Sequence, residues 1–348
     1  MRLLLALLRF CAVALALGSG LVALLGALGF LVPGLDILNH LQIPIFFGTL
    51  IGLVLVIALV GRGAWRRTVL AVVGAGFLAS ACVVVPEIVW GLMPRPPLPT
   101  DGRPVLKVLS HNVFGLNYEM DRMRDYIFSV DPDIIALQEY FPEQRGPLHP
   151  MLIARYPHFA LCTGGKRANI ALYSKLPFTQ SDTADCNEDV SERPRTSRIV
   201  ATFTLDDGTT FTVLTTHLDW PFPVERQEQQ RADLTAEINA IKGPLLVVGD
   251  MNSTPWSYAM RGLIADTGLE RQTRNLVTYP LSFTSPWFGD KETGLVRLFP
   301  FLPLDQVMTR DGIAVHELHT GPDTNSDHLP VVFTMSVEPM TECCAVAN

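Results

Sequence analysis

Apolar positions fall into two regimes along the chain. Residues 10–32 run without a single charge, and residues 44–60 and 69–85 form two further apolar runs. The last two are short, yet long enough to span a bilayer when flanking residues snorkel. A cleaved signal peptide plus buried helices is the alternative, but it accounts for Arg2 and the first run only. The pattern predicts a three-helix membrane anchor over residues 1–94. After residue 104 the apolar runs shorten and alternate with polar loops. Strands are predicted at 105–109, 134–137, 159–162, 170–173, 199–205, 211–216, 245–248, 306–309 and 331–335. Asp206-Asp207-Gly208 marks a hairpin turn. Helical periodicity covers 118–129 and 224–241, and Gly243-Pro244 stops the second helix. Hairpins with a few long helices suit an α/β fold of two sheets flanked by helices.

Basic residues set the expected orientation. Arg2 and Arg9 precede the first apolar run, and Arg62, Arg66 and Arg67 lie between the second and third. The loop 34–42 has Asp36 and neither Lys nor Arg. This places the N-terminus in the cytoplasm and everything after Pro94 outside the cytoplasmic membrane, in a multi-pass protein. Residues 95–104 begin Arg95-Pro96-Pro97-Leu98-Pro99, a stiff tether. The catalytic candidate domain spans 105–338, and 339–348 is a tail.

Charge narrows the partners. The chain carries 27 Lys and Arg against 34 Asp and Glu. The first hundred residues hold 6 and 2 of these, which leaves the rest of the chain at −11. Gripping a nucleic-acid backbone requires a basic surface that displaces counterions, so nucleic acid is the disfavoured partner. Oligomeric state is left open. Cys162 and Cys186 are free to pair in an oxidising compartment or to stand as two unrelated buried thiols; spacing does not decide.

Polar motifs sit where the strand runs end. They are Ser110-His111-Asn112, Leu137-Gln138-Glu139, Gly249-Asp250-Met251-Asn252 and Ser326-Asp327-His328. Such groups beside buried strands are costly unless they pair or hold a metal. Asn112 and Glu139 offer oxygen ligands to a hard cation such as Mg²⁺, although each alone reads as a cap or turn former. His217, in Thr215-Thr216-His217, is either a satisfied core histidine or a donor to a phosphoryl oxygen. Asp250 is placed to orient water or accept its proton and Asn252 to position a phosphate; the alternative is an Asx turn. Asp327 and His328 are neighbours whose side chains diverge, so one can ligate metal while the other faces the phosphate. Asp305 is the best partner to fix and charge His328.

The ordered set Asn112, Glu139, His217, Asp250-x-Asn252, Asp305 and Ser326-Asp327-His328 resembles the endonuclease/exonuclease/phosphatase (DNase I-like) superfamily. The resemblance runs from about residue 105 to 335. It implies a four-layer α/β/β/α sandwich and Mg²⁺, with Mn²⁺ as the alternative ion, held chiefly by Glu139. Asp327 and Asn112 would complete the metal environment. Asp250 would activate water, Asn252 and His217 would hold the phosphate, and the Asp305–His328 pair would meet transition-state charge. One departure is Phe114, where some nuclease members carry an acid; no carboxylate that would orient His217 is apparent. The three helices, the Pro-rich tether and residues 298–305 resemble a membrane-anchored bacterial branch associated with glycopeptide resistance.

Trp220, Phe222, Trp256, Trp287-Phe288 and the stretch 298–304 cluster near the catalytic motifs. They read either as a surface that meets lipid or as closure of the domain's own core. The expected activity is hydrolysis of a phosphoric ester or pyrophosphate, on a lipid-linked phosphate outside the membrane. An extracellular Mg²⁺-dependent endonuclease is the alternative within the same chemistry. A non-catalytic binding or sensor domain is the alternative of another class, and the intact polar set argues against it.

Overall fold

A computed structural model describes residues 1–165, 167–181, 196–284 and 295–338. The chain divides into two compact units, Met1–Met93 with Ser253–Gly262, and Pro94–Asn252 with Leu263–Asn348.

In the first unit the three apolar runs form helices α1 (Arg2–Ala27), α2 (Gln42–Leu59) and α3 (Ala64–Leu92). All three are long and apolar enough to cross a membrane. Small residues bring their backbones together. A Cβ on Gly76 would lie 2.5 Å from the Gly20 carbonyl oxygen, and one on Gly52 would lie 2.7 Å from Ala16 Cα. Large side chains such as Leu21, Ile51 and Leu78 are exposed. Close backbones inside and bulky apolar groups outside suit helix association in lipid, where burial of apolar surface gives little drive.

The second unit begins with the tether, which is pinned along its own domain. Arg95 donates to the Gln272 carbonyl at 2.7 Å, and the Pro96 carbonyl lies 3.1 Å from His316 Nδ1. There follow β1 (Val105–Asn112), α4 (Met120–Val130), β2 (Ile134–Gln138), α5 (Pro142–Ile153), β3 (His158–Cys162), β4 (Ile170–Ser174), β5 (Phe178–Gln180), β6 (Arg198–Thr204) and β7 (Thr210–His217). Then come α6 (Val224–Ala240), β8 (Leu245–Asp250), α7 (Tyr258–Thr267), β9 (Glu270–Arg271), β10 (Ser282–Thr284), β11 (Leu295–Arg297), β12 (Asp305–Arg310), β13 (Ile313–Thr320) and β14 (Val331–Val337).

Two six-stranded sheets result, ordered β13-β14-β1-β2-β4-β3 and β5-β6-β7-β8-β12-β9, with β10-β11 as a separate pair. Their inner faces share one core, in which Val108, Ile134 and Leu172 meet Phe203, Val213, Leu246 and Val307. On the outer face of the first sheet, Leu109, Ile135 and Tyr173 pack with Met123 and Ile127 of α4 and Leu148 and Leu152 of α5. α6 is fixed to the second sheet by Arg198, which reaches Asp233 at 2.9 Å and Glu237 at 2.8 Å. These are the four layers expected.

Register decides where the chemistry lies. β7 and β8 are parallel with His217 opposite Asp250, and β12 runs antiparallel to β8 with Asp305 opposite Asp250. His217, Asp250 and Asp305 therefore occupy one row across three adjacent strands. In the other sheet β1 and β2 are parallel, with Asn112 opposite Gln138 and Glu139 one residue beyond. Gly249 makes the row possible. Its φ is +144°, and an added Cβ would sit 1.9 Å from the Thr216 carbonyl oxygen. Gly249→Ala is expected to destabilise the protein by about 4 kcal/mol, read as a fall of ~10 °C in Tm of the full chain in detergent.

Cys162 is buried and disulfide-bonded. Cys186, Trp287, Phe288 and the tail lie outside the described residues.

Candidate active site

Asp250 is the hub. Its carboxylate is buried, and Oδ2 receives the Asn112 amide nitrogen at 3.0 Å. The same oxygen lies 3.4 Å from His217 Nε2 and 3.6 Å from His328 Nε2. Oδ1 accepts from the Asn252 backbone N–H at 2.9 Å. Burial works to raise this carboxyl; His328, then His217 and the Asn252 N–H, outweigh it and hold the group well below the usual carboxylate range. Asp250 is therefore a committed anion at any physiological pH.

His328 is the matching cation. Its Nδ1 stands 2.8 Å from Asp305 Oδ2, and both groups are buried. Burial pulls the imidazole down, yet Asp305, then Asp250 and Asp327, push it up to about 10. The Ser326 hydroxyl fixes the turn that presents it. It donates to the Asn112 carbonyl at 2.7 Å and accepts from the His328 N–H at 3.0 Å, so the first and last motifs are bonded to each other directly. Tyr279 covers His328 with ring centroids 4.7 Å apart. Burial first, then Asp327, Asp250 and Glu139, hold that phenol up at about 12.

Glu139 follows β2 with a left-handed φ of 52°. Oε2 accepts from Gly115 N–H at 3.1 Å, and Oε1 lies 3.3 Å from Asn112 Nδ2 and 4.0 Å from His217 Nε2. Asn112 thus bridges Glu139 and Asp250 through its amide nitrogen, while its Oδ1 accepts from Phe114 N–H at 3.0 Å. The Asn252 amide nitrogen donates to the Leu218 carbonyl at 2.8 Å and stands 3.1 Å from His217 Nε2; its Oδ1 is buried without a partner. Among the described residues no carboxylate bonds His217 Nδ1, which is buried. The orienting acid sought in the sequence is not on that nitrogen; the ring is instead aligned from Nε2.

The donor set fits a hard divalent cation. Asp327 Oδ1 is buried with no hydrogen-bond partner among the described residues. Burial raises this carboxyl to about 7, His328 opposes the rise, and the Glu139 and Asp250 carboxylates add to it. Burial first, with the Glu139 and Asp250 carboxylates adding to it, disfavours the charged form of Asp327, and an oxygen-bound cation would favour it. Asp250, Asp305 and His328 also place one ligand atom each within 4.8 Å of one another. His328 held as a cation by Asp305 is a poor ligand, so the Glu139 and Asp327 side is the better cradle.

All eight residues singled out in the sequence thus come to one place or its immediate surroundings. Arg167 was missed. Its Nε bonds Asp219 at 3.0 Å, and its other nitrogen lies 3.9 Å from Glu139. The signal was present, a basic residue after Gly164-Gly165 between two strands. Tyr279 had no comparable signal. His111 of the first motif is turned away from the site, bonded to Thr324 at 2.8 Å. Among the aromatics proposed for a lipid-facing surface, Trp220, Phe222, Phe299 and Phe301 are exposed, whereas Trp256 is buried.

Comparison with known proteins bears on this arrangement. Residues 109–328 match the model of the Endonuclease/Exonuclease/phosphatase family. No curated protein matches the chain. A solved endonuclease/exonuclease/phosphatase from Beutenbergia cavernae is 19% identical with a TM-score of 0.50, over 68% of this chain and 72% of that one. The human Nocturnin catalytic domain is 20% identical with a TM-score of 0.48, over 69% and 97%. Sphingomyelinase C from Streptomyces griseocarneus is 17% identical with a TM-score of 0.45, over 68% and 100%. With most of the chain inside the family match and the polar set assembled at the sheet ends, the chain belongs to the endonuclease/exonuclease/phosphatase family of phosphoric ester hydrolases.

Proposed function

We propose that the protein is a membrane-anchored, divalent-metal-dependent hydrolase of a phosphoric ester or pyrophosphate, that Mg²⁺ is its ion, and that its substrate is a lipid-linked phosphate outside the cytoplasmic membrane. The observation that carries the substrate reading is aromatic contact with His328 together with exposed aromatic residues close in sequence to the catalytic motifs. Tyr279 lies against His328, Trp220 lies 5.7 Å from Tyr279 centroid to centroid, and Phe222 and Phe299 are 69% and 92% exposed. Aromatic groups left in water beside an anion-handling site are costly, and the acyl or prenyl region of a lipid would cover them. The acidic balance of the domain supports the same reading against a nucleic-acid backbone.

In the proposed mechanism Asp250 orients the attacking water and takes its proton as the new phosphorus–oxygen bond forms and the phosphorus–oxygen bond to the leaving alcohol or phosphate breaks. The Asn252 amide and His217 would hold non-bridging phosphoryl oxygens once their N–H groups turn to the bound phosphate from the Leu218 carbonyl and from each other. His328, kept charged by Asp305, donates to the oxygen on which charge accumulates. Glu139 and Asp327 would hold the ion, with Asn112 orienting Glu139 and Asp250 beside it through its amide nitrogen, and the ion would supply positive charge to the phosphoryl group. Tyr279 excludes water from the back of His328.

The test is a substrate panel with the full chain in detergent or nanodiscs and Mg²⁺. Phosphate release from an isoprenoid pyrophosphate, or headgroup release from sphingomyelin or a phosphoinositide, is the expected result. Nicking of plasmid DNA with no lipid turnover would instead establish the nuclease alternative.

Metal binding has its own signature. Asp327's carboxyl is raised from 3.8 to about 7. Without metal this group's contribution to stability is full below pH 4 and is lost as pH rises through about 7. A bound cation reverses that loss but must displace a proton at low pH. The rise in Tm produced by Mg²⁺ is expected to be larger at pH 8 than at pH 6. Asp327→Asn is expected to flatten that difference in the same melting assay.

A further inference from the structure

Arg167 stands beside the site and takes no part in the mechanism above. It lies in the loop that joins β3 to β4, and that loop is tied down at several points. Asn169 N–H donates to the Cys162 carbonyl at 2.8 Å, which closes the loop at its base. The Asn169 carbonyl accepts from Tyr140 N–H at 2.7 Å, one residue beyond Glu139. The Ser197 hydroxyl donates to the Gly164 carbonyl on the other limb. Within this frame the backbones of Arg167 and Asn169 are left-handed, with φ of 55° and 66°. Non-glycine residues stay in that region only when their surroundings over-determine them, and such strain gathers at ligand clamps.

The side chain is held by one edge. Its Nε donates to Asp219 Oδ1 at 3.0 Å. Asp219 is itself fixed from α6, where Gln230 accepts from its N–H at 2.6 Å and Gln227 donates to its carbonyl at 2.8 Å. Both glutamines are buried. One terminal nitrogen of Arg167 stands 3.9 Å from Glu139 Oε1, beyond hydrogen-bond reach. Among the described residues neither terminal nitrogen makes a hydrogen bond.

The place is also the right one. The Glu139 oxygen beside Arg167 lies 4.0 Å from His217 Nε2, which stands 3.1 Å from the Asn252 amide nitrogen. The guanidinium therefore borders the pair proposed to hold phosphate, across the carboxylate proposed to hold the ion. An ion pair between two partly exposed groups at 3.9 Å adds little by itself, so offsetting Glu139 does not account for a strained, tied-down loop. Two uncommitted donors in a planar fork match two oxygens of a phosphoryl group.

We infer that Arg167 is a substrate-binding residue whose terminal nitrogens take phosphoryl oxygens on the Glu139 side of the site, with Asp219 as the residue that positions it. Those oxygens belong either to the phosphate that reacts or to a second phosphate bonded to it. The inference rests on the hydrolase reading of the site.

The test uses the full chain in nanodiscs with Mg²⁺, and the variants Arg167→Gln, Arg167→Lys and Asp219→Asn. For the panel substrates that the wild type turns over, KM is expected to rise about tenfold in Arg167→Gln and about threefold in Arg167→Lys, with kcat within threefold. Adding Asp219→Asn to Arg167→Gln is expected to deepen the loss no further. A loss confined to substrates with two linked phosphates assigns Arg167 to the second phosphate, and a loss on single-phosphate substrates assigns it to the reacting one. KM unchanged on every substrate, or a change in the Mg²⁺ requirement alone, overturns the inference and leaves Arg167 as a charge offset for Glu139. Losses that multiply in the double variant overturn the role of Asp219. If Arg167→Gln does not fold, Arg167→Lys decides by the same readings. A wild type that hydrolyses no member of the panel contradicts the hydrolase reading instead, and melting with inorganic phosphate and inorganic pyrophosphate then decides Arg167. A rise in Tm that is at least halved in Arg167→Gln supports the inference; equal rises, or none in the wild type, overturn it.

Discussion

Asp250→Asn is expected to lower turnover by about 10³-fold or more while leaving the fold intact. The substitution keeps shape and removes charge at the point where the site converges. In the wild type Asp250 Oδ2 faces Asn112, His217 and His328 within 3.6 Å. A neutral amide there cannot accept a proton from water, and it no longer offsets the charge on His328. The loss should fall on kcat, because the phosphate is held by Asn252 and His217. Stability should change by only about 1–2 kcal/mol, since an amide oxygen retains part of the hydrogen bonding. Steady-state kinetics with a melting curve on the same preparation checks both halves. A variant with more than a tenth of wild-type turnover would remove Asp250 from its role.

Asp305→Asn is expected to cost about 10²-fold at pH 8 and to change the shape of the pH profile. In the wild type, burial lowers the His328 imidazole, and Asp305 does most to raise it from 6.5 to about 10. The stabilisation of that charged pair is full below pH 6.5 and is lost as pH rises through about 10. Wild-type activity should therefore show no loss from His328 between pH 6.5 and about 9. Without the Asp305 charge, burial is opposed only by Asp250 and Asp327, and the imidazole releases its proton at lower pH than in the wild type. The variant's activity should fall as pH rises from 6 to 8. A parallel profile in wild type and variant, merely displaced downward, would mean that Asp305 only packs against the ring.

Much of this was legible in the sequence because hydrophobic runs report burial directly. Residues 10–32, 44–60 and 69–85 lie inside α1, α2 and α3 but for the tips of the first two runs, and every strand predicted from an apolar run is observed. α5 was not legible because Pro147 and Pro150 interrupt it. β13 was masked by its alternating polar residues and the shift of register between Val315 and Leu318. The site residues could be found because polar groups next to buried strands need a reason to be there. Their mutual geometry could not, because it depends on strand register. Nothing local to Asp305 or His217 says that both stand beside Asp250. Trp256 shows the converse: its position after Asn252 suggested a surface role, and it is buried.

The central claim is that water, held by Asp250, attacks phosphorus. Hydrolysis by the full chain with Mg²⁺ in ¹⁸O-enriched water, followed by mass spectrometry of both products, tests it most directly. The account predicts one ¹⁸O in the phosphate-bearing product and none in the released alcohol or, for a pyrophosphate, in the leaving phosphate. Label in the released alcohol, or hydrolysis that survives in Asp250→Asn with the same labelling, would contradict it.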